Sequence, residues 1–202
     1  WSISAAAFIA IFALKVPFPY IVLAAGIIGH IGGRYAPDKF VTGGHGATDK
    51  SYGAALIDDD TPTPPHALFT WPRFIRVCVA GAILGGGAMA LLVALHGWQA
   101  TLTQMGWFFT KAALLTFGGA YAVLPYVYQG GVEHYQWLSA TQMIDGLALG
   151  ETTPGPLIMI VSFVGFVGGW TRELFGAENL LLAGSAAACV ATYFTFLPSV
   201  VF

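Results

Sequence analysis

Charge is scarce in this sequence. Only 9% of its residues are charged and 56% are apolar, with a mean hydropathy of +0.71, whereas soluble domains carry about 25% charged residues. So few charges cannot coat a water-facing surface, which excludes an ordinary soluble domain and leaves lipid as the solvent. The 8 basic residues are scattered and the net charge is -2. No basic stripe follows a phosphate backbone, so nucleic acid is not an expected partner. Cysteine is nearly absent: Cys78 and Cys189 both lie in apolar runs, without CxxC or Cys/His spacing, which argues against disulfides and structural zinc. HExxH and GxSxG are missing as well. His30, Glu133, His134, Asp145 and Glu151 could serve acid-base chemistry, but no second carboxylate stands at metal-ligand spacing, so the sequence does not read as an enzyme and no metal or cofactor is expected. Glu133 and His134 read as solvated residues of a polar loop, and Asp145 as a capping or pairing residue.

Long apolar runs are present instead. A helix needs roughly 20 apolar residues to cross a hydrocarbon core about 30 Å thick, and the segments Val16 to Gly33, Phe74 to His96, Gly106 to Leu124 and Asn179 to Leu197 read as such spans. Ser2 to Leu14 reads as the tail of an earlier helix. The chain opens at Trp1 without an initiator Met and stops inside an apolar run at Phe202, so an internal piece of a longer protein is expected. Residues 34–73 change character to Gly, Thr, Asp and Pro, including Asp58-Asp59-Asp60-Thr61-Pro62-Thr63-Pro64-Pro65, and form a solvated linker. Arg34, Lys39, Lys50, Arg73 and Arg76 in or beside it place the linker on the cytoplasmic side. Glycines four residues apart, Gly29/Gly33, Gly81/Gly85 and Gly165/Gly169, suit close helix packing in lipid. Trp71, Trp98, Trp107, Trp137 and Trp170 read as interfacial anchors.

One segment does not fit a simple span. From Ser139 to Trp170 the chain is mostly apolar for about 32 residues, about 48 Å as one helix and too long for one crossing. Pro154 and Pro156 each remove a backbone N–H and disfavour helix at the preceding residue, dividing the run into Ser139 to Gly150 and Pro156 to Trp170. Neither half crosses a membrane alone, and irregular backbone at membrane depth is tolerated only where protein buries it or it lines a watery cavity. A hairpin of two half-helices meets both conditions; a proline kink in a packing helix is the plainer alternative. At the break, Glu151-Thr152-Thr153-Pro154-Gly155-Pro156, Thr152 or Thr153 is expected to cap the second half-helix. The N–H groups of Gly155 and Leu157, with the positive end of the dipole, then form an anion site. An intramembrane carboxylate such as Glu151 costs about 2.5 to 3.5 kcal/mol on insertion scales and suggests a role. A second interruption, Thr116-Phe117-Gly118-Gly119-Ala120, closes at Pro125, and Lys111 about two turns earlier supplies positive charge to the same cavity or else snorkels beside Trp107.

These interruptions, in this order, resemble the chromate transporter family. The resembling run is Phe109-Thr110-Lys111, Phe117-Gly118-Gly119-Ala120, Leu124-Pro125, Trp137-Leu138, Met143-Ile144-Asp145-Gly146-Leu147-Ala148, Pro154-Gly155-Pro156 with Phe163-Val164-Gly165, and Leu197-Pro198-Ser199. The resemblance covers roughly residues 107–202, with residues 1–33 similar to the close of a preceding half. It implies an all-α polytopic membrane protein, half of an inverted-repeat transporter. Long members carry two related halves, each with an FGG and a PGP motif, and are associated with chromate efflux and resistance. This chain holds one motif set, which implies a missing half or a second copy as partner and a bacterial inner-membrane setting.

The resemblance and the residues meet in one mechanism. Chromate is a tetrahedral oxyanion, and Lys111, Thr116, Thr152 and Thr153, with backbone at Phe117, Gly118, Gly119 and Pro154 to Leu157, could replace its hydration shell. An ionised Glu151 repels a dianion, which makes it the candidate for proton coupling. Sulfate is near-isosteric with chromate, so a sulfate or other oxyanion carrier stays open beside the chromate reading, as does a subunit that needs its other half.

Overall fold

The computed structural model describes residues 2–35, 69–115, 123–153 and 155–201, and among these every regular element is helical. The chain is an all-α integral membrane protein. Two helices, Trp71–His96 and Ala177–Ser199, are long and apolar enough to cross a membrane. The chain separates into two compact units, residues 1–74 and 75–202.

In the first unit, α1 (Ser2–Phe12) and α2 (Phe18–Tyr35) are joined by a turn in which Val16 N–H donates to Ala10 C=O at 3.0 Å. α2 starts at Phe18, where Pro17 ends the turn and Pro19 occupies the first helical turn that tolerates it. An apolar groove of about 570 Å³ runs between the two helices, lined by Ala7, Ala10, Tyr20 and Ala24 among others. Gly29 and Gly33 were expected to seat a neighbouring helix; a Cβ at either would meet no atom within 4 Å.

α3 (Trp71–His96) carries the chain into the second unit, and Gly97 (φ 83°) turns it into α4 (Thr101–Leu114). Thr103 Oγ1 donates to Gly97 C=O at 2.8 Å, tying the turn to α4. The sequence reading placed a span from Gly106 to Leu124. α4 instead begins five residues earlier, after the tight turn at Gly97, and ends at Leu114; residues 116–122 of the expected span lie outside the described residues. α5 (Leu124–Tyr128) opens with Pro125 in its first turn and passes directly into a π-helical turn, Gln129–His134. Glu133 and His134 are therefore exposed residues of a helical turn, not of an irregular loop.

Two antiparallel helices follow, α6 (Ala140–Glu151) and α7 (Pro156–Thr171), and after a 3-10 turn the chain ends in α8 (Leu180–Val201). The order of contacts fixes their directions. Gly146 lies so close to Phe163 that a Cβ would stand 2.6 Å from its ring, while Gln142 at the start of α6 shares a crevice with Val167 and Thr171 at the end of α7. Gly165 backs onto Ala187 and Ala191, and Gly169 onto Ala183, so α7 and α8 are antiparallel as well. Here the four-residue glycine spacing works as expected, bringing backbones into contact where lipid offers no hydrophobic drive. Ser162 and Thr192 add a 2.8 Å hydroxyl pair across the same interface. On the other side of α8, Phe194 packs on Gly106, Leu197 packs on Gly85, and Tyr193 OH donates to Leu84 C=O at 3.1 Å.

The core gathers Met105, Phe108, Phe109, Trp137, Met143, Ile160 and Val164. Trp137 corrects its assignment as an interfacial anchor: it is 2% exposed, stacked on Tyr135 at 4.5 Å and edge-on to Phe108 at 5.4 Å. A tryptophan near the end of an apolar run is placed by what lies beside it, and here three aromatic rings do. Trp71, Trp98, Trp107 and Trp170 are exposed.

Candidate functional site

The site begins with the reason for the break. α6 starts at a capping box, in which Gln142 N–H donates to Ser139 Oγ at 3.2 Å and Ser139 N–H to Gln142 Oε1 at 2.8 Å. It ends at Glu151, twelve residues on. Thr152 caps that end in a right-handed conformation, and Gly155 then adopts φ 81°, ψ 61°, the left-handed region that favours glycine. Pro156 opens α7, where its missing N–H leaves no helical bond unmade. The base of the hairpin is closed from the other end: Thr171 Oγ1 donates to Trp137 C=O at 2.9 Å and Arg172 Nη2 to Tyr135 C=O at 2.7 Å. Entry to α6 and exit from α7 thus share one end of the hairpin, and the tip at 152–155 forms the other. At about 18 and 24 Å, neither helix matches a hydrocarbon core about 30 Å thick.

The tip joins two helix ends of opposite polarity. α6 contributes its carbonyl end, with Glu151 exposed in its last turn. α7 contributes its amide end, where the dipole is positive and the first N–H groups have no acceptor one turn back. Ile158 N–H makes a tightened bond to Gly155 C=O at 3.2 Å. Leu157 is the first residue of α7 with an N–H, since Pro156 has none.

The expectation that Thr152 or Thr153 caps α7 is corrected. Thr152 Oγ1 donates to Leu149 C=O at 2.9 Å, and Thr153 Oγ1 donates to Gly150 C=O at 3.1 Å and Leu149 C=O at 3.3 Å. Both hydroxyls satisfy the last carbonyls of α6. α7 begins at Pro156, as expected, so its N-cap is Gly155, which has no side chain to lend.

The other expected site residues are placed as follows. Lys111 is partly buried near the end of α4, its Nζ 5.6 Å from the centre of the exposed Trp107 ring. Among the described residues, no hydrogen bond or ion pair joins it to the tip of the hairpin. Thr116, Phe117, Gly118, Gly119 and Pro154 lie outside the described residues, as do residues 36–68 of the 34–73 linker. Asp145 is exposed in the middle of α6. No group of three potential metal ligands occurs among the described residues. The clasp of Arg172 on Tyr135 and Gln136 was not read from the sequence: a lone arginine at a helix end carries no signal of its acceptors, which lie on a segment about 36 residues earlier.

The segment that builds this hairpin is also the segment with relatives. Residues 103–202 match the model of the chromate transporter family. Through this half, the chain belongs to the chromate transporter family. It is 39% identical over 101 residues to a chromate transport protein of Cupriavidus metallidurans, half of this chain and 22% of that protein. It is 35% identical over 97 residues to a probable chromate transport protein of Synechococcus elongatus, 48% of this chain and 21% of that protein. A chromate transport protein of Pseudomonas aeruginosa is 40% identical over 88 residues, 44% of this chain and 18% of that protein. The chain thus spans about a fifth of the length of these relatives. No solved structure matches it. The family match runs from α4 through α8 and includes both interruptions and the whole hairpin.

Proposed function

We propose that this chain supplies one half of a membrane pathway for chromate, binding the oxyanion at the tip of the α6–α7 hairpin. The observation that carries the reading is the start of α7: a helix end left without a side-chain cap by Gly155 and Pro156, at a break too short-limbed to be an ordinary span. Such half-helix ends are where secondary transporters hold ionic solutes, and the relatives across this segment are named for chromate transport. Leu157 N–H is the foremost donor; Lys111 and the backbone of Gly118 and Gly119 complete the shell from the second interruption. Glu151 is the coupling residue. The Thr116 hydroxyl is a further candidate for the shell, whereas Thr152 and Thr153 serve α6.

Efflux is the direction that needs least coupling, because a dianion leaving a negative interior gains about 4.6 kcal/mol per 100 mV. In this arrangement residues 1–33 close a preceding half, residues 34–73 form a linker on the cytoplasmic side of a bacterial inner membrane, and residues 74–202 are the second half. A further half, on a longer chain or from a second copy, completes the pathway. The test is chromate flux into liposomes containing the protein with its completing half. Lys111→Ala and Glu151→Gln are each expected to lower flux at least about tenfold, the effect of about 1.4 kcal/mol. Flux unchanged by both sinks the assigned roles, and flux of sulfate without chromate reassigns the substrate.

A further inference from the structure

Resting on that reading for the role of the tip but not for its orientation, we infer that the α6–α7 hairpin enters the membrane from the face opposite the linker, so that its tip opens toward the linker face and takes its solute from there. Contacts fix the direction of each helix in the second unit. Gly168, near the end of α7, lies so close to Met105 and Trp137 that a Cβ would overlap both. Met105 is in the second turn of α4, and Trp137 stands three residues before α6. The base of the hairpin is therefore beside the start of α4, at the end of the unit where Gly97 turns α3 into α4. α8 gives the same orientation independently. It leaves the base of the hairpin with Ala183 against Gly169. Farther along, Phe194 and Met89 crowd the same glycine, Gly106, and then Leu197 meets Gly85. As α8 advances from Phe194 to Leu197 its neighbours on α3 retreat from Met89 to Gly85, so α8 runs against α3 and toward the end that receives the linker. α7 is antiparallel to α8, which puts the tip at that end too.

The charges divide in the same way. The start of α3 carries Arg73 and Arg76, next to the basic linker. At the other end the α3–α4 turn has no Lys or Arg, and the segments that flank the hairpin carry Glu133, Glu173 and Glu178, with Arg172 as their lone basic residue. Arg172 is itself bonded to the carbonyls of Tyr135 and Gln136. Lys and Arg gather on the cytoplasmic side of a membrane, which makes the linker face cytoplasmic and the base of the hairpin external. Exposed Trp98 and Trp170 lie at the external boundary and exposed Trp71 at the other. From the external boundary α7 reaches about 24 Å into a core about 30 Å thick, past its midplane. The barriers on the two sides are unequal. Between base and tip stand Trp137, Met143, Ile160 and Val164, all buried, whereas Glu151, Thr152 and Gly155 at the tip are exposed. In this conformation the half is closed toward the external face by its core and open toward the linker face, so an outward-moving solute meets the tip first and the packed core after it.

The experiment is labelling of single cysteines by a membrane-impermeant maleimide, in right-side-out and inverted vesicles that contain the full chain with Cys78 and Cys189 replaced by alanine. Ser51→Cys reports the linker face, Gln99→Cys the α3–α4 turn, Glu178→Cys the base of the hairpin and Thr152→Cys its tip. Gln99→Cys and Glu178→Cys are expected to label only in right-side-out vesicles, and Ser51→Cys and Thr152→Cys only in inverted ones. Gln99 and Glu178 are surface positions, so the orientation is read even where a substitution at the tip disturbs the turn. Labelling of Glu178→Cys from the face of Ser51→Cys would overturn the orientation. Labelling of Thr152→Cys from the face of Glu178→Cys, or from neither face, would overturn the open tip, and labelling of Ser51→Cys in right-side-out vesicles would overturn loading from the cytoplasm. Absence of chromate flux in a chain with the expected labelling pattern would instead sink the oxyanion reading and leave the orientation standing.

Discussion

Replacing Gly155 by alanine isolates the one backbone conformation on which the tip depends. At φ 81° and ψ 61° the residue sits in the left-handed region, where an L side chain costs about 1 to 2 kcal/mol. Crowding adds nothing to this, because a Cβ there would meet only Ile158 Cδ1 at 3.5 Å, an ordinary contact. The cost is therefore conformational, and it can be expressed in two ways. If the alanine variant holds the native turn, the protein loses about 1 to 2 kcal/mol of stability and keeps its site. If the turn relaxes, the first N–H groups of α7 swing away and chromate affinity falls about 5- to 30-fold, the same energy read as a binding constant. Thermal unfolding in detergent micelles and dialysis of radiolabelled chromate measure the two. Asparagine, which visits the left-handed region more readily than alanine, is expected to recover most of either loss. Wild-type stability and affinity in Gly155→Ala would refute the reasoning, and so would damage from Gly155→Asn equal to that from alanine, since that would implicate size rather than backbone.

Two further outcomes follow from the helix interfaces. Gly165→Ala would put a Cβ 2.8 Å from Ala187 O and 2.9 Å from Ala191 Cβ, so α7 and α8 must part; a loss of about 1 to 3 kcal/mol is expected, read from thermal unfolding in micelles. The hydroxyl pair of Ser162 and Thr192 should contribute little despite its 2.8 Å length: a double-mutant cycle with Ser162→Ala and Thr192→Val is expected to give a coupling of about 0.6 kcal/mol, the average for such pairs in membranes, and a value above about 2 kcal/mol would assign the pair a larger role.

Much of the hairpin was legible in the chain because its signals act locally. Ser139 with Gln142 three residues later marks the start of α6, and Pro156 marks the start of α7, whatever surrounds them. The glycines of α7 announced a close helix contact for the same reason, since the absence of a Cβ is a property of the residue. Gly29 and Gly33 show the limit of that signal: the same spacing occurs on α2 without a neighbour within its unit. The π-helical turn after Tyr128 was not legible, because no residue there punctuates the chain as strongly as proline.

By itself the sequence determined that the chain lives in lipid, that its longest apolar run is broken near Pro156, and that this break lies in a stretch with the motifs of the chromate transporter family. Each follows from composition, from a missing N–H or from motif spacing, which need no partner in space. Tertiary structure alone decided which helix end the threonine protons serve, that Trp137 is core rather than anchor, and that Arg172 clasps the base of the hairpin. A hydroxyl, an indole or a guanidinium has several partners within reach along the chain, and only the folded backbone, through the left-handed turn at Gly155 and the packing of α7 on its neighbours, brings one of them to bonding distance.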